Sequence, residues 1–167
     1  MAKVAFLLAD NYEDSEMVHP YEEIKKAGHE TVIIGLEKGV DCKGKKGAVY
    51  QTDIAASEAN SSEFDAVVIP GGSAPEALRI NEDVVRFVKE INEQNKLIAG
   101  ICHGPQVMIS ADVLNGKTAT CFIGIRDDVK NAGAEFVDQE VVVSKNIITS
   151  RTPKDEPAFI REILEKI

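Results

Sequence analysis

The chain has 167 residues, 44% hydrophobic and 28% charged, with a formal net charge of −9. This length suits one domain, residues 1–167, with one sizeable core, and an acidic surface repels nucleic-acid backbones, which argues against DNA or RNA as the main ligand. No apolar run approaches the ~20 residues that span a bilayer, and Val4 to Ala9 is too short for a signal-peptide core, so neither membrane nor export is expected.

Lys3 to Ala9 reads as a strand buried on both faces, as in a parallel sheet. A polar loop, Asp10 to Asp14, leads to a helix over Ser15 to Ala27, with apolar residues at helical spacing (Met17, Tyr21, Ile24) and Gly28 as its stop. Glu30 to Leu36 is a second strand. Gly39 to Thr52, rich in Gly and Lys, reads as a hairpin excursion at a sheet edge, with Ala48 to Thr52 strand-like. Asp65 to Ile69 is a buried strand ending at Pro70-Gly71-Gly72, and Pro75 to Asn92 follows as one long helix. Leu97 to Ile101 is another buried strand, stopping at Cys102. Gly104 to Ala111 starts a short helix, Lys117 to Phe122 a strand, and Arg126 to Asn131 a short helix closed by Gly133. Glu140 to Ser144 and Asn146 to Ser150 form a hairpin, and Pro153 to Ile167 the last helix. Strands alternating with helices predict an α/β fold, doubly wound, with a mostly parallel sheet and helices on both faces. In such sheets the ligand site lies beyond the carboxyl ends of the strands. The loops there are Asp10 to Asp14, Pro70 to Glu76 and Cys102 to Pro105.

Cys102 carries the chemistry. On residue type alone a free cysteine belongs in a core. This one stands at a strand end, between Gly100 and Gly104 and beside His103, which resembles a nucleophile elbow. A helix N-terminus there predicts a lowered thiol pKa. His103 is the adjacent acid or base, provided the backbone bends to bring the two side chains together. Gly71 and Gly72 permit close backbone approach and offer N–H groups to a developing oxyanion. Glu13 lies in the acidic loop with Asp10 and Asp14, where a carboxyl either meets the sulfur and titrates with it as a coupled pair or is simply solvated. Tyr12 and Phe122 are read as lining the site mouth, with ordinary packing the equal alternative. Glu76 opens a helix, where an acidic residue is ordinary dipole chemistry. Cys42 has no assigned role and Cys121 reads as core. Three widely spaced cysteines make no disulfide framework and fit a reducing cytoplasm. His19, His29 and His103 are scattered, and no metal or other cofactor is expected.

Ala99-Gly100-Ile101-Cys102-His103-Gly104-Pro105-Gln106, with Pro70-Gly71-Gly72-Ser73-Ala74-Pro75-Glu76, resembles the PfpI family of intracellular cysteine peptidases. That family belongs to the wider superfamily of the Parkinson-associated protein deglycase and the class I glutamine amidotransferases. Asp10 to Asp14 and Gly124 to Gly133 match the pattern as well. The resemblance implies a flavodoxin-like sandwich, with Cys102 as nucleophile, His103 as its partner and Glu13 against the sulfur. It also implies a homo-oligomer, from dimer to hexameric ring, in which Glu76 reaches His103 of a neighbouring subunit. Phe122 stands where many relatives carry tyrosine, and the proline often found before Gly124 is missing.

The expected function is that of a cysteine hydrolase, acting as a peptidase or as a glyoxalase III or deglycase on oxo-aldehydes and their adducts. The alternative is a non-enzymatic stress protein in which an oxidisable Cys102 serves as redox sensor or the protein acts as a chaperone.

Overall fold

The computed structural model describes residues 1–167. Its centre is a seven-stranded sheet built from β1 (Lys3–Leu7), β2 (Glu30–Gly35), β5 (Ile54–Ala55), β6 (Ala66–Ile69), β7 (Leu97–Ile101), β10 (Val141–Ser144) and β11 (Ile147–Ser150), in the order β10-β11-β7-β6-β1-β2-β5. Every neighbouring pair is parallel except the β10–β11 hairpin. The central strands are apolar along their whole length because both faces are covered: all residues of β6 and β7 are buried. Helices α1 (Asp14–Lys26) and α6 (Glu156–Lys166) pack together on one face; α2 (Ala74–Arg79), α3 (Glu82–Glu93), α4 (Pro105–Ser110) and α5 (Arg126–Asn131) form the other layer. This is the doubly wound α/β fold expected. No helix is long and apolar enough to cross a membrane.

Register places the site. Ile69 lies opposite Gly100, and Phe6 opposite Val68, so β1, β6 and β7 end side by side. Their loops, Leu8 to Glu13, Pro70 to Ser73 and Cys102 to Gly104, therefore meet at one edge of the sheet.

Three expectations are corrected. The single helix over Pro75 to Asn92 is two helices, because Asn81 takes extended backbone and its side-chain oxygen accepts from the N–H groups of Asp83 and Val84, capping α3. The strand over Lys117 to Phe122 shrinks to β8 (Thr118–Ala119), paired only with β9 (Glu135–Phe136). The last helix starts at Glu156, after a 3-10 turn over Pro153–Asp155. The Gly- and Lys-rich excursion is a hairpin of its own, β3 (Asp41–Lys43) with β4 (Val49–Gln51), that does not join the sheet. It is tied to the loop after β1: Asp14 accepts from the N–H groups of Lys46 and Ala48 at 2.8 Å each, and Lys45 N–H donates to Tyr12 O.

Candidate active site

Cys102 ends β7 with φ +62°, a left-handed conformation that costs a non-glycine residue on the order of 1–3 kcal/mol. The surroundings hold it there. Its N–H donates to Ser150 O at 3.0 Å, its carbonyl accepts from Phe122 N–H at 3.0 Å, and Gly104 N–H donates to Ile101 O at 2.8 Å. The sharp bend brings consecutive side chains together, so His103 Nδ1 lies 3.2 Å from Cys102 Sγ. The His103 ring stacks on Phe122 at 4.7 Å between centroids. Phe122 thus lies against His103 and fixes the imidazole plane.

The carboxyl at the sulfur is Glu16, not Glu13. Glu16 is fully buried on the first turn of α1; its Oε1 accepts from Gly71 N–H at 2.8 Å, and the carboxyl faces Cys102 closely enough that its charge acts on the thiol. Glu13 precedes the helix and turns outward to Lys46 at 3.1 Å and Lys45 at 3.8 Å, and its charge reaches Cys102 only as a lesser repulsion. The physical reason is the helix start. Glu13 is the residue before α1 and takes extended backbone (φ −74°, ψ 114°), whereas Glu16 stands on the buried stripe of α1 with Met17, Pro20 and Ile24.

Two further assignments change. Gly71 spends its N–H on Glu16, so it is no oxyanion donor, whereas the N–H groups of Gly72 and His103 are directed at the Cys102 sulfur and favour its anion. Glycine at 71 is needed for close approach, since a Cβ there would lie 2.5 Å from Glu16 Oε1 and 2.9 Å from Cys102 Cβ. Tyr12 is no mouth residue: it is fully buried, and its hydroxyl donates to the carbonyls of Ala48 at 3.0 Å and Cys42 at 3.3 Å. Its backbone bridges to Gly72, so Tyr12 anchors the hairpin and the glycine loop rather than a ligand.

The electrostatics also differ from the helix-terminus expectation. Burial, then the facing Glu16 charge, push the Cys102 thiol up to about 12. Burial pushes Glu16 up to about 8, despite the Gly71 N–H that favours its anion. Two buried acids in contact retain a proton between them at neutral pH. With that proton on Glu16 the repulsion on the sulfur is gone, and a carboxyl O–H faces the sulfur. His103 is held below its ordinary range by burial and then by Lys45, with Glu76 opposing, so its imidazole is neutral and able to accept a proton. Glu76 is exposed on the first turn of α2. Cys42 and Cys121 are free and buried, and burial pushes both thiols up.

Glu16 has a consequence for stability. A buried carboxyl with a raised pKa contributes stability that is fully present below its unfolded pKa and is lost as pH rises through the folded one. The chain is expected to lose on the order of a few kcal/mol from this group between about pH 4.5 and about pH 8. Urea titrations across that range should show a smaller slope in Glu16→Gln, and an unchanged slope would contradict the assignment.

The chain matches the DJ-1/PfpI family over residues 2–166 and belongs to that family. It is 47% identical to "Deglycase PfpI" of Pyrococcus furiosus over 98% of each chain. It is 49% identical to "Protein/nucleic acid deglycase 2" of Escherichia coli, over 97% of this chain and 95% of the relative. Among solved structures, a two-domain protein of Anabaena variabilis with DJ-1/ThiJ/PfpI-like and ferritin-like domains superposes with a TM-score of 0.97 at 49% identity. That match covers 99% of this chain, which spans about half (48%) of the two-domain one.

Proposed function

We propose that the protein is a cysteine-dependent hydrolase of small oxo-aldehydes and of their adducts on amines, with Cys102 as nucleophile. The observation that carries this reading is the Cys102 sulfur at a left-handed elbow, 3.2 Å from a neutral imidazole, with two backbone N–H groups and the Glu16 carboxyl on it. The family membership and the names of the two curated relatives support it. Burial of the sulfur favours small substrates over folded peptides: Cys102 is only 8% exposed.

For an oxo-aldehyde the steps balance as follows. The thiol proton passes to His103 as sulfur bonds to the aldehyde carbon and the carbonyl electron pair moves onto oxygen. That oxyanion meets the N–H groups of Gly72 and His103 and takes the Glu16 proton, giving a hemithioacetal. Glu16, now a carboxylate, moves the C1 proton to C2 through an enediol, turning the hemithioacetal into a thioester without net oxidation. Water cleaves the thioester as one of its protons passes to Glu16 and the protonated His103 returns its proton to the leaving sulfur, releasing a hydroxy acid and restoring the thiol, the neutral imidazole and the protonated carboxyl. The reading includes assembly, with Glu76 of one copy brought to His103 of the next. Exposed apolar residues next to the site elements, Ile80 at 81% and Ile123 at 48%, suit such a contact.

The test is turnover of methylglyoxal to lactate, release of amine from a methylglyoxal-treated peptide, and cleavage of an unmodified fluorogenic peptide. Activity on the first two, absent in Cys102→Ser, is expected. Activity on the unmodified peptide alone would replace this reading by a peptidase. Peroxide-sensitive Cys102 with no turnover at all would replace it by a redox sensor.

A further inference from the structure

Behind the site lies a second buried acid. Glu156 opens α6 with its side chain only 5% exposed. Ser15 Oγ–H donates to its Oε2 at 2.6 Å, and His19 Nδ1 lies 2.5 Å from its Oε1. Ser15 and Glu16 are consecutive residues in the first turn of α1. One short segment therefore carries both the hydroxyl that holds Glu156 and the carboxyl that meets Cys102. A neighbouring carboxylate charge opposes ionisation of a buried acid, and the Glu156 charge acts on Glu16 in this sense. Glu156 has a donor or pairing group on each oxygen. Glu16 has one N–H, from Gly71, on Oε1, and its buried Oε2 has no hydrogen-bond partner.

We infer that Glu156 is a positioning residue that keeps the proton on Glu16, and so sets the pH range in which the Cys102–Glu16 pair is competent. The inference rests on the reading of Glu16 as the proton-bearing partner of Cys102. The acid and base groups around the pair are few. Glu16 faces Glu13 from the preceding loop, Glu156 from α6 and Cys102 from the elbow, and both carboxylates oppose its ionisation. Glu156 faces His19 on α1, beside a groove between α1 and α6 whose other charged residues are Glu22, Glu23, Lys154, Arg161 and Glu165. None of these five has an ion pair to Glu156. The residue before it, Asp155 at the end of the 3-10 turn, is engaged by Arg151.

The test follows alkylation of Cys102 by iodoacetamide against pH in the full chain, which needs no substrate and so stands apart from the choice of reaction. Wild type is expected to show an inflection from Glu16. Glu156→Gln keeps shape and hydrogen-bonding capacity but removes the charge, and should move that inflection down by roughly one pH unit, the size of a Coulomb interaction between carboxylates at an effective dielectric of ~20. Glu156→Asp keeps the charge and should restore the wild-type position. Ser15→Ala weakens the hold on the Glu156 anion and should shift the inflection the same way as Glu156→Gln, by less. An inflection that stays put in folded Glu156→Gln, or that shifts equally in Gln and Asp, would reduce Glu156 to a packing role and overturn the inference. If Glu156→Gln does not fold, an unmoved inflection in Ser15→Ala does the same. Normal shifts with no turnover on any carbonyl substrate would instead sink the proposed reaction and leave this inference standing.

Discussion

Cys102→Ala is expected to lower turnover of oxo-aldehydes by at least about 10³-fold, since losing a nucleophile leaves only binding and oxyanion stabilisation. The same position makes a second, independent prediction about stability. At φ +62° any Cβ is strained, and both cysteine and alanine bear that strain. Glycine does not. Cys102→Gly should therefore be as inactive as Cys102→Ala yet more stable than it by about 1 kcal/mol, read as the difference in urea midpoint at constant slope. Comparing Gly with Ala rather than with the wild type removes the lost packing of the sulfur from the comparison. Equal stabilities of the two variants would mean that the elbow carries no strain, and the account of how Cys102 is presented would fail with it.

The other large effect is at Gly104, where Gly104→Ala should cost about 3 kcal/mol or more and is expected to leave little folded protein at elevated temperature. A Cβ at this position would lie 2.3 Å from the carbonyl oxygen of Ile69 and 3.0 Å from the N and O of Ile101. All three are backbone atoms at the ends of β6 and β7, and none can swing aside as a side-chain tip does. Separating them would pull apart the two strands that carry Cys102 and the Gly71–Gly72 loop. By contrast a Cβ at Gly116, a glycine with φ +77°, meets no atom within 4 Å, so Gly116→Ala should show only the ordinary cost of a left-handed residue. Thermal denaturation of the two variants separates collision from strain.

The central strands were legible in the sequence because burial on both faces leaves continuous apolar runs. The elbow was legible because a cysteine between glycines, followed by His-Gly-Pro at a strand end, suits a sharply presented reactive atom better than a packed core. Glu16 was missed, although a signal existed: a carboxyl on the apolar stripe of a helix, in phase with Pro20 and Ile24, has to be neutral or paired. Loop position points to Glu13 instead, and only the fold shows that Lys45 and Lys46, some thirty residues on, take up that side chain. Tyr12 was misplaced for a related reason. Its burial comes from the β3–β4 hairpin, whose path over the loop after β1 depends on long-range bonds from Asp14 and Tyr12 that no local pattern records. The break between α2 and α3 did carry a local sign, Asn81 followed by Glu82 and Asp83, a capping residue before an acidic first turn, which the apolar periodicity over Pro75 to Asn92 masked.

The whole chemical account requires a proton held on a carboxyl beside the sulfur. The most direct check is the infrared difference spectrum of wild type minus Glu16→Gln between pH 5 and pH 9. A protonated-carboxyl C=O band that persists through neutrality and disappears near pH 8 is the predicted result. A Glu16 carboxylate already ionised at pH 6 would contradict it.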